Sequence, residues 1–125
     1  MLSTRLHLQW APYRPYTRQA VHANAPLSGG VYKLAYARTD GSLIVFYVGQ
    51  ADNLDRRLKQ HLSEYETNAC LQRHLSRCKC YFTFAEVSTQ RGRDGAERSL
   101  YDFFKPTCNL ITPPGPPIPI NAKNG

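Results

Sequence analysis

Residues Gly29 to His61 read GGVYKLAYARTDGSLIVFYVGQADNLDRRLKQH, and the fold turns on this stretch. Two apolar and aromatic runs, VYKLAYAR and LIVFYVG, flank TDGS. β-branched and aromatic side chains suit a pleated, half-buried surface, so both runs read as strands. Asp40-Gly41 is a favoured tight-turn pair because both residues tolerate positive φ, which predicts an antiparallel hairpin. If the turn closes on that pair, Tyr47 faces Leu34 and Tyr32 faces Gly49. Tyr32 and Tyr47 then share a face as diagonal neighbours, roughly 7 to 8 Å apart at Cα, and their hydroxyls can converge. A one-residue bulge between them would turn one to the other face.

Working outward, Asp52 or Asn53 caps a helix in which Leu54, Leu58 and Leu62 form the buried stripe. Arg57 and His61 are four residues apart and stack beside that stripe towards the hairpin, whereas Arg56 and Lys59 point to solvent. Thr67 or Asn68 opens a second helix, ACLQRHLSR. CKCYFTFAEV is apolar on both alternating faces and reads as a central third strand. RGRDG breaks the chain, and Asp94 or Gly95 starts a third helix, AERSLYDFF, that ends before Pro106. Ala96, Leu100, Phe103 and Phe104 make its core stripe. Glu97 lies at the margin of that stripe, where a carboxylate needs a cation, an Arg or a metal ion, or else the dipole of a first helical turn.

The flanks are less informative. Residues 1–28 form an irregular N-terminal extension; Leu6, Leu8 and Trp10 alternate with His7 and Gln9, which suits either a short added strand or a surface tail. Residues 111–125 are proline-rich and suit an extended, largely disordered tail. A chain of 125 residues is one domain in size, with residues 29–110 as the core unit. Sixteen Lys plus Arg against nine Asp plus Glu give a net charge of +7, which favours an acidic partner. No apolar run reaches the roughly 18 residues of a membrane span, and MLSTRLHLQW lacks a secretion signal, so the expected location is cytoplasmic. The four cysteines are then expected as reduced thiols. Cys70, His74, Cys78 and Cys80 lack zinc-knuckle spacing, and the cysteines read better as small core hydrophobes.

Taken together, Gly30-Val31-Tyr32, Tyr47-Val48-Gly49, Asn53-Leu54, Arg57, His61, Glu97 in AERSLYDFFKP and Asn109 in PTCN resemble the GIY-YIG nuclease family in order and spacing. The resemblance spans about Gly29 to Leu110. Val replaces Ile in both signatures, and Gln50 stands where many members carry Lys, Ser or another small polar residue. The family implies an α+β fold, a small three-stranded antiparallel sheet flanked by helices. It also implies hydrolysis of a nucleic-acid phosphodiester with one divalent metal, Mg2+ or Mn2+. In that scheme Glu97 holds the metal and Arg57 binds the scissile phosphate. Tyr32 or Tyr47 activates or orients water, His61 assists, and Asn109 supports the site.

The chemistry agrees with these roles. Attack on a phosphodiester loads charge onto non-bridging oxygens, and a permanently charged planar Arg with a metal ion stabilises it. Magnesium keeps most of its waters, so one carboxylate suffices. A tyrosine is a poor base at neutrality unless its surroundings favour the phenolate. Arg56, Lys59, Arg73, Arg77, Arg91 and Arg93 are the expected phosphate-backbone contacts, joined by Lys79 and Arg98, with DNA the favoured partner. Two alternatives remain: a nucleic-acid-binding module of the same fold that cuts little, and a scaffold that uses the tails. Specificity is expected from shape or from a protein partner. Oligomeric state is left open.

Overall fold

The computed structural model describes residues 5–124; the first four residues of the expected extension and the last of the expected tail lie outside the described residues. The elements run β1 (Arg14–Pro15), α1 (Arg18–Asn24), β2 (Gly30–Ala37), β3 (Leu43–Ala51), α2 (Leu54–His61), α3 (Ala69–Arg77), β4 (Cys80–Glu86) and α4 (Gln90–Phe104).

The hairpin β2–β3 pairs Tyr32 with Gly49 and Leu34 with Tyr47, as the turn signal predicts. Its closure is less simple. The loop is centred on Asp40, with Arg38 N–H donating to Ser42 O at 2.8 Å, Gly41 at φ 87°, and Asp40 Oδ1 accepting the Ser42 N–H. Near the loop Ala37 pairs with Leu43, one residue off the expected register, and a bulge between Leu34 and Ala35 restores it. The bulge lies on the loop side of Tyr47. Both tyrosines therefore stay on one face, with ring centroids 6.2 Å apart.

Among the described residues the sheet has four strands in the order β1-β4-β2-β3, not the three expected. Arg14 and Pro15 pair with Phe82 and Tyr81, so part of the N-terminal extension covers the outer edge of β4. Proline suits such an edge because it has no ladder hydrogen to donate. Two residues of strand and a seven-residue helix are too short to show periodicity, which is why this region reads as irregular.

Caps account for α2 and α3: Asn53 and Asn68 accept from the N–H groups of Arg56 and Leu71. The third expected helix starts earlier than the sequence suggests. Thr89 caps α4 by accepting from Gly92, so RGRDG is helical and not a break. Its glycines serve packing: a Cβ on Gly95 would lie 2.3 Å from Ile118 Cγ1, and one on Gly92 would lie 2.8 Å from Val87 Cγ1. Glu97 consequently sits in the third turn of α4, too far along for the dipole to explain it.

One sheet face packs Tyr32, Leu34, Phe46, Phe82 and Phe84 against Leu54, Leu58 and Leu71 of α2 and α3. The other packs Val31, Val48 and Ala85 against Leu8 and against Ala96 and Leu100 of α4. The C-terminal segment is extended but ordered, which corrects the expected disorder. Ile118 is buried, Ser99 Oγ donates to its carbonyl at 2.6 Å, and Leu6 N–H donates to Pro119 O at 3.0 Å. Asn121 bonds both backbone groups of Leu8. The two termini thus zip together over the second face, a pairing of residues more than a hundred positions apart that local pattern does not reveal.

The thiol expectation is also corrected. Cys70 and Cys108 form a disulfide closing 38 residues, while Cys78 and Cys80 are free. Asn68 Nδ2 donates to Cys108 O at 2.9 Å, bringing the start of α3 to the turn beyond α4. Among the described residues no helix is long and apolar enough to cross a membrane.

Candidate active site

The first face carries a chain of polar groups through its core. The Tyr32 hydroxyl lies 2.7 Å from His61 Nε2, and His61 Nδ1 bonds Glu66 Oε1. Tyr32 and His61 are buried, at 1% and 2% exposure. Burial works to raise the Glu66 pKa, but the hydrogen bond from His61 and those from the backbone of Asn68 and Thr67 outweigh it, and the net shift is downward. Burial lowers the His61 pKa against the opposing pull of Glu66. A charged Glu66 beside a neutral His61 defines the tautomer: Nδ1–H donates to Glu66, and Nε2 accepts the Tyr32 proton.

Arg57 lies one helical turn before His61; its Nη1 donates to Gln60 Oε1 at 3.3 Å, and its charge acts on both tyrosine hydroxyls. Burial raises both tyrosine pKa values, and Arg57 opposes the rise at each. Tyr47 is half-buried and meets the His61 ring edge-on at 5.2 Å. With Glu97, Asn109, Asn68, Leu110 and Ile111 it lines a cleft of about 290 Å³. Asn109 braces this wall, its side chain accepting from Val48 N–H at 3.0 Å and donating to Val48 O at 2.8 Å. In effect it acts as one rung of a further strand on β3.

Glu97 is half-buried and lacks a basic partner within ion-pair range among the described residues. Burial raises its pKa, the Gln50 hydrogen bond lowers it, and Asp94 raises it. Gln50 Nε2 donates to both Glu97 Oε1 at 3.0 Å and Asp94 Oδ1 at 2.7 Å, and Gln90 Nε2 donates to Asp94 and Gln50. Two carboxylates three residues apart on one helix, hydrogen-bonded by neutral amides, present hard oxygens with no ion-pair partner among the described residues. That donor set fits Mg2+ or Mn2+.

The structure brings Tyr32, Tyr47, Arg57 and His61 together and places Glu97 and Asn109 along the Tyr47 wall. The basic residues divide. Arg73, Arg77 and Arg91 are exposed. Arg56 is exposed and pairs with Asp52 at 3.0 Å, and Lys59 bonds Asp55 and His22 at 3.0 Å each. Arg93 departs from the expected outward role: Nη1 donates to Val87 O at 2.9 Å, Nη2 donates to Gln90, and its Nε is buried. Its guanidinium braces the entry to α4 because the helix begins before it.

Two participants are absent from the sequence reading. Glu66 lies in the loop after α2, where spacing does not distinguish it from Glu64. Asp94 is hidden by the misplaced helix start; reading Thr89 as the cap puts Asp94 and Glu97 on one face.

No protein-family model and no curated protein matches the chain. Solved structures do match. The N-terminal GIY-YIG endonuclease domain of UvrC from Thermotoga maritima, as a tyrosine-to-phenylalanine mutant bound to its catalytic divalent cation, aligns at 21% identity and a TM-score of 0.58, covering 75% of this chain and 94% of that one. The same domain bound to magnesium aligns at 20% identity and a TM-score of 0.57, covering 74% and 96%. The chain therefore has the fold of the GIY-YIG endonuclease domains.

Proposed function

We propose that this protein is a metal-dependent endonuclease that hydrolyses nucleic-acid phosphodiester bonds, in DNA before RNA, with residues 29–110 as its nuclease unit. One observation carries the reading: a Tyr32–His61–Glu66 relay, flanked by Arg57, backs onto the cleft that Tyr47 shares with Glu97. A binding surface has no use for a buried proton relay that ends on a carboxylate.

In this reading Arg57 takes the non-bridging oxygens of the scissile phosphate and holds the charge that grows there. Tyr32 is the better base of the two tyrosines because it alone has an acceptor for its own proton. As water attacks phosphorus, its proton passes to the Tyr32 oxygen while the Tyr32 proton passes to His61 Nε2, and Glu66 stabilises the resulting imidazolium. Tyr32 is buried whereas Tyr47 lines the open cleft, so Tyr47 has the role of orienting the water, and attack requires Tyr47 and Arg57 to give water access to the Tyr32 hydroxyl. Asn109 keeps the Tyr47 strand in place. Glu97, with Asp94 beside it, would hold the divalent ion, in keeping with the catalytic cation of the UvrC domain. When bound, such an ion polarises the phosphoryl group and offsets charge on the leaving oxygen.

The test is cleavage of labelled duplex, single-stranded, flap and four-way-junction DNAs and of RNA, with Mg2+, Mn2+ or EDTA. Metal-dependent cutting is expected, with losses of at least about 10²-fold in Arg57→Ala and Glu97→Gln. Salt-sensitive binding without cutting by the wild-type protein would favour a binding module instead.

A further inference from the structure

Five large apolar side chains are strongly exposed among the described residues, and three of them stand around the candidate site: Tyr65 at 81%, Leu110 at 74% and Ile111 at 81%. Leu110 and Ile111 line the cleft with Tyr47 and Glu97. Tyr65 lines the neighbouring hollow with Arg57 and Glu66. Arg57 lines the second hollow and acts on the hydroxyl of Tyr47, which lines the first. An apolar rim therefore borders both sides of the polar site.

Leu110 and Ile111 are not exposed through slackness. Before them, Cys108 is tied by its disulfide and by its N–H to Phe46 O at 2.9 Å, and Asn109 is bonded twice to Val48. After them, Thr112 Oγ1 bonds Tyr101 OH at 3.2 Å, and two prolines stiffen the chain. The pair is held out on a braced segment.

We propose that Leu110, Ile111 and Tyr65 receive unstacked nucleobases beside the scissile phosphate, so that the preferred substrate carries an unpaired or distorted strand at the cut. This rests on the nuclease reading of the site, because whatever reaches Arg57 and Glu97 must cross the rim. The occupant follows from chemistry. The positively charged chain and Arg57 draw in a polyanion, and the only broad apolar surfaces of a nucleic acid are its base faces. In an intact duplex those faces are stacked away. Aliphatic side chains act as wedges between opened base steps, and an exposed aromatic ring accepts a base of any sequence.

The experiment is equilibrium binding in EDTA, so that nothing is cut, to an intact labelled duplex and to the same duplex with a short single-stranded gap containing 2-aminopurine. Wild type is expected to bind the gapped DNA about tenfold more tightly and to change the 2-aminopurine fluorescence. A Leu110→Ser/Ile111→Ser double variant should lose that preference and the fluorescence change, keep its duplex affinity and melt as wild type does. Tyr65→Ala should lose part of the preference, and Tyr65→Phe should keep it. Equal wild-type affinity for both DNAs, or an undiminished preference in the double variant, overturns the proposal. So does light scattering that shows a wild-type dimer, a monomeric double variant and the same DNA preference, since the rim would then join two copies. The nuclease reading fails separately: a gap preference without metal-dependent cutting removes it and leaves the rim as a base-binding surface.

Discussion

Tyr32 and Lys33 are consecutive on β2, point to opposite faces of the sheet, and are each only 1% exposed. Tyr32 hands its hydrogen bond to His61 and on to Glu66, beside an open cleft. Lys33 is enclosed: its Nζ lies 4.0 Å from the Trp10 ring and 5.3 Å from that of Phe104, and it donates to Ala122 O and Asn124 Oδ1. Burial lowers its pKa to about 7. A buried polar group is costly until it is satisfied. The first face satisfies one with a chain of proton carriers, the second with a plug of aromatic rings and terminal carbonyls. The comparison separates a buried group that joins the candidate site from one that holds the termini, and α4, which packs on the second face, brings Asp94 and Glu97 to the same site.

The sharpest way to break that division is Glu66→Gln. The amide oxygen would take the Asn68 N–H that Glu66 Oε2 now accepts at 3.2 Å, leaving an N–H group towards His61 Nδ1. His61 would then carry its proton on Nε2 and no longer accept from Tyr32. Cleavage should fall about 10³-fold with an altered pH–rate profile and little change in melting. A near-normal rate and profile would reduce Glu66 to a structural acceptor.

On the second face, Ile118→Ala should cost about 2–4 kcal/mol by opening a cavity over Gly95. Denaturant unfolding measures that loss, and the cutting rate per folded molecule should stay within about twofold of wild type. A cutting loss beyond the folded fraction would show that Ile118, packed on Gly95 between Asp94 and Glu97, also positions those carboxylates.

The Cys70–Cys108 disulfide belongs to the first face and anchors the Asn109 turn. Its reduction should lower stability by about 2–4 kcal/mol, read from melting curves with and without a thiol reductant. Identical curves, with four alkylatable thiols when the untreated protein is unfolded in denaturant without reductant, would restore the reduced-thiol expectation.

The smallest effect is the pH dependence from Lys33. Its folded pKa of about 7 is below the unfolded value, so between about pH 7 and 10.4 the unfolded chain binds more protons. Its contribution therefore makes stability rise with pH across that window. Lys33→Met should flatten this part of the profile and leave cutting unchanged. A slope that survives the substitution would assign it to other groups.

Much of the site was legible because its spacing is local. Arg57 and His61 share a helical side, Asn53 caps that helix, and the tyrosine register follows from the turn. That register came out as expected through two offsetting departures, a loop centred on Asp40 and a bulge that restores the pairing. Glu66 was not legible, because a loop has no periodicity to aim a side chain. Asp94 was hidden because glycines normally argue against helix, whereas Gly92 and Gly95 are tolerated within α4 for the close approach of Val87 and Ile118.

The sequence by itself determined the hairpin, the three main helices, the β4 strand and the core polar set, since short-range periodicity, turn chemistry and capping are properties of neighbouring residues. Only the tertiary structure decided the fourth strand, the ordered termini, the Cys70–Cys108 pairing and the meeting of Glu66 with His61. Each joins an irregular segment to a distant or loosely spaced partner. Contacts of that kind follow from packing the whole chain, and no local pattern encodes them.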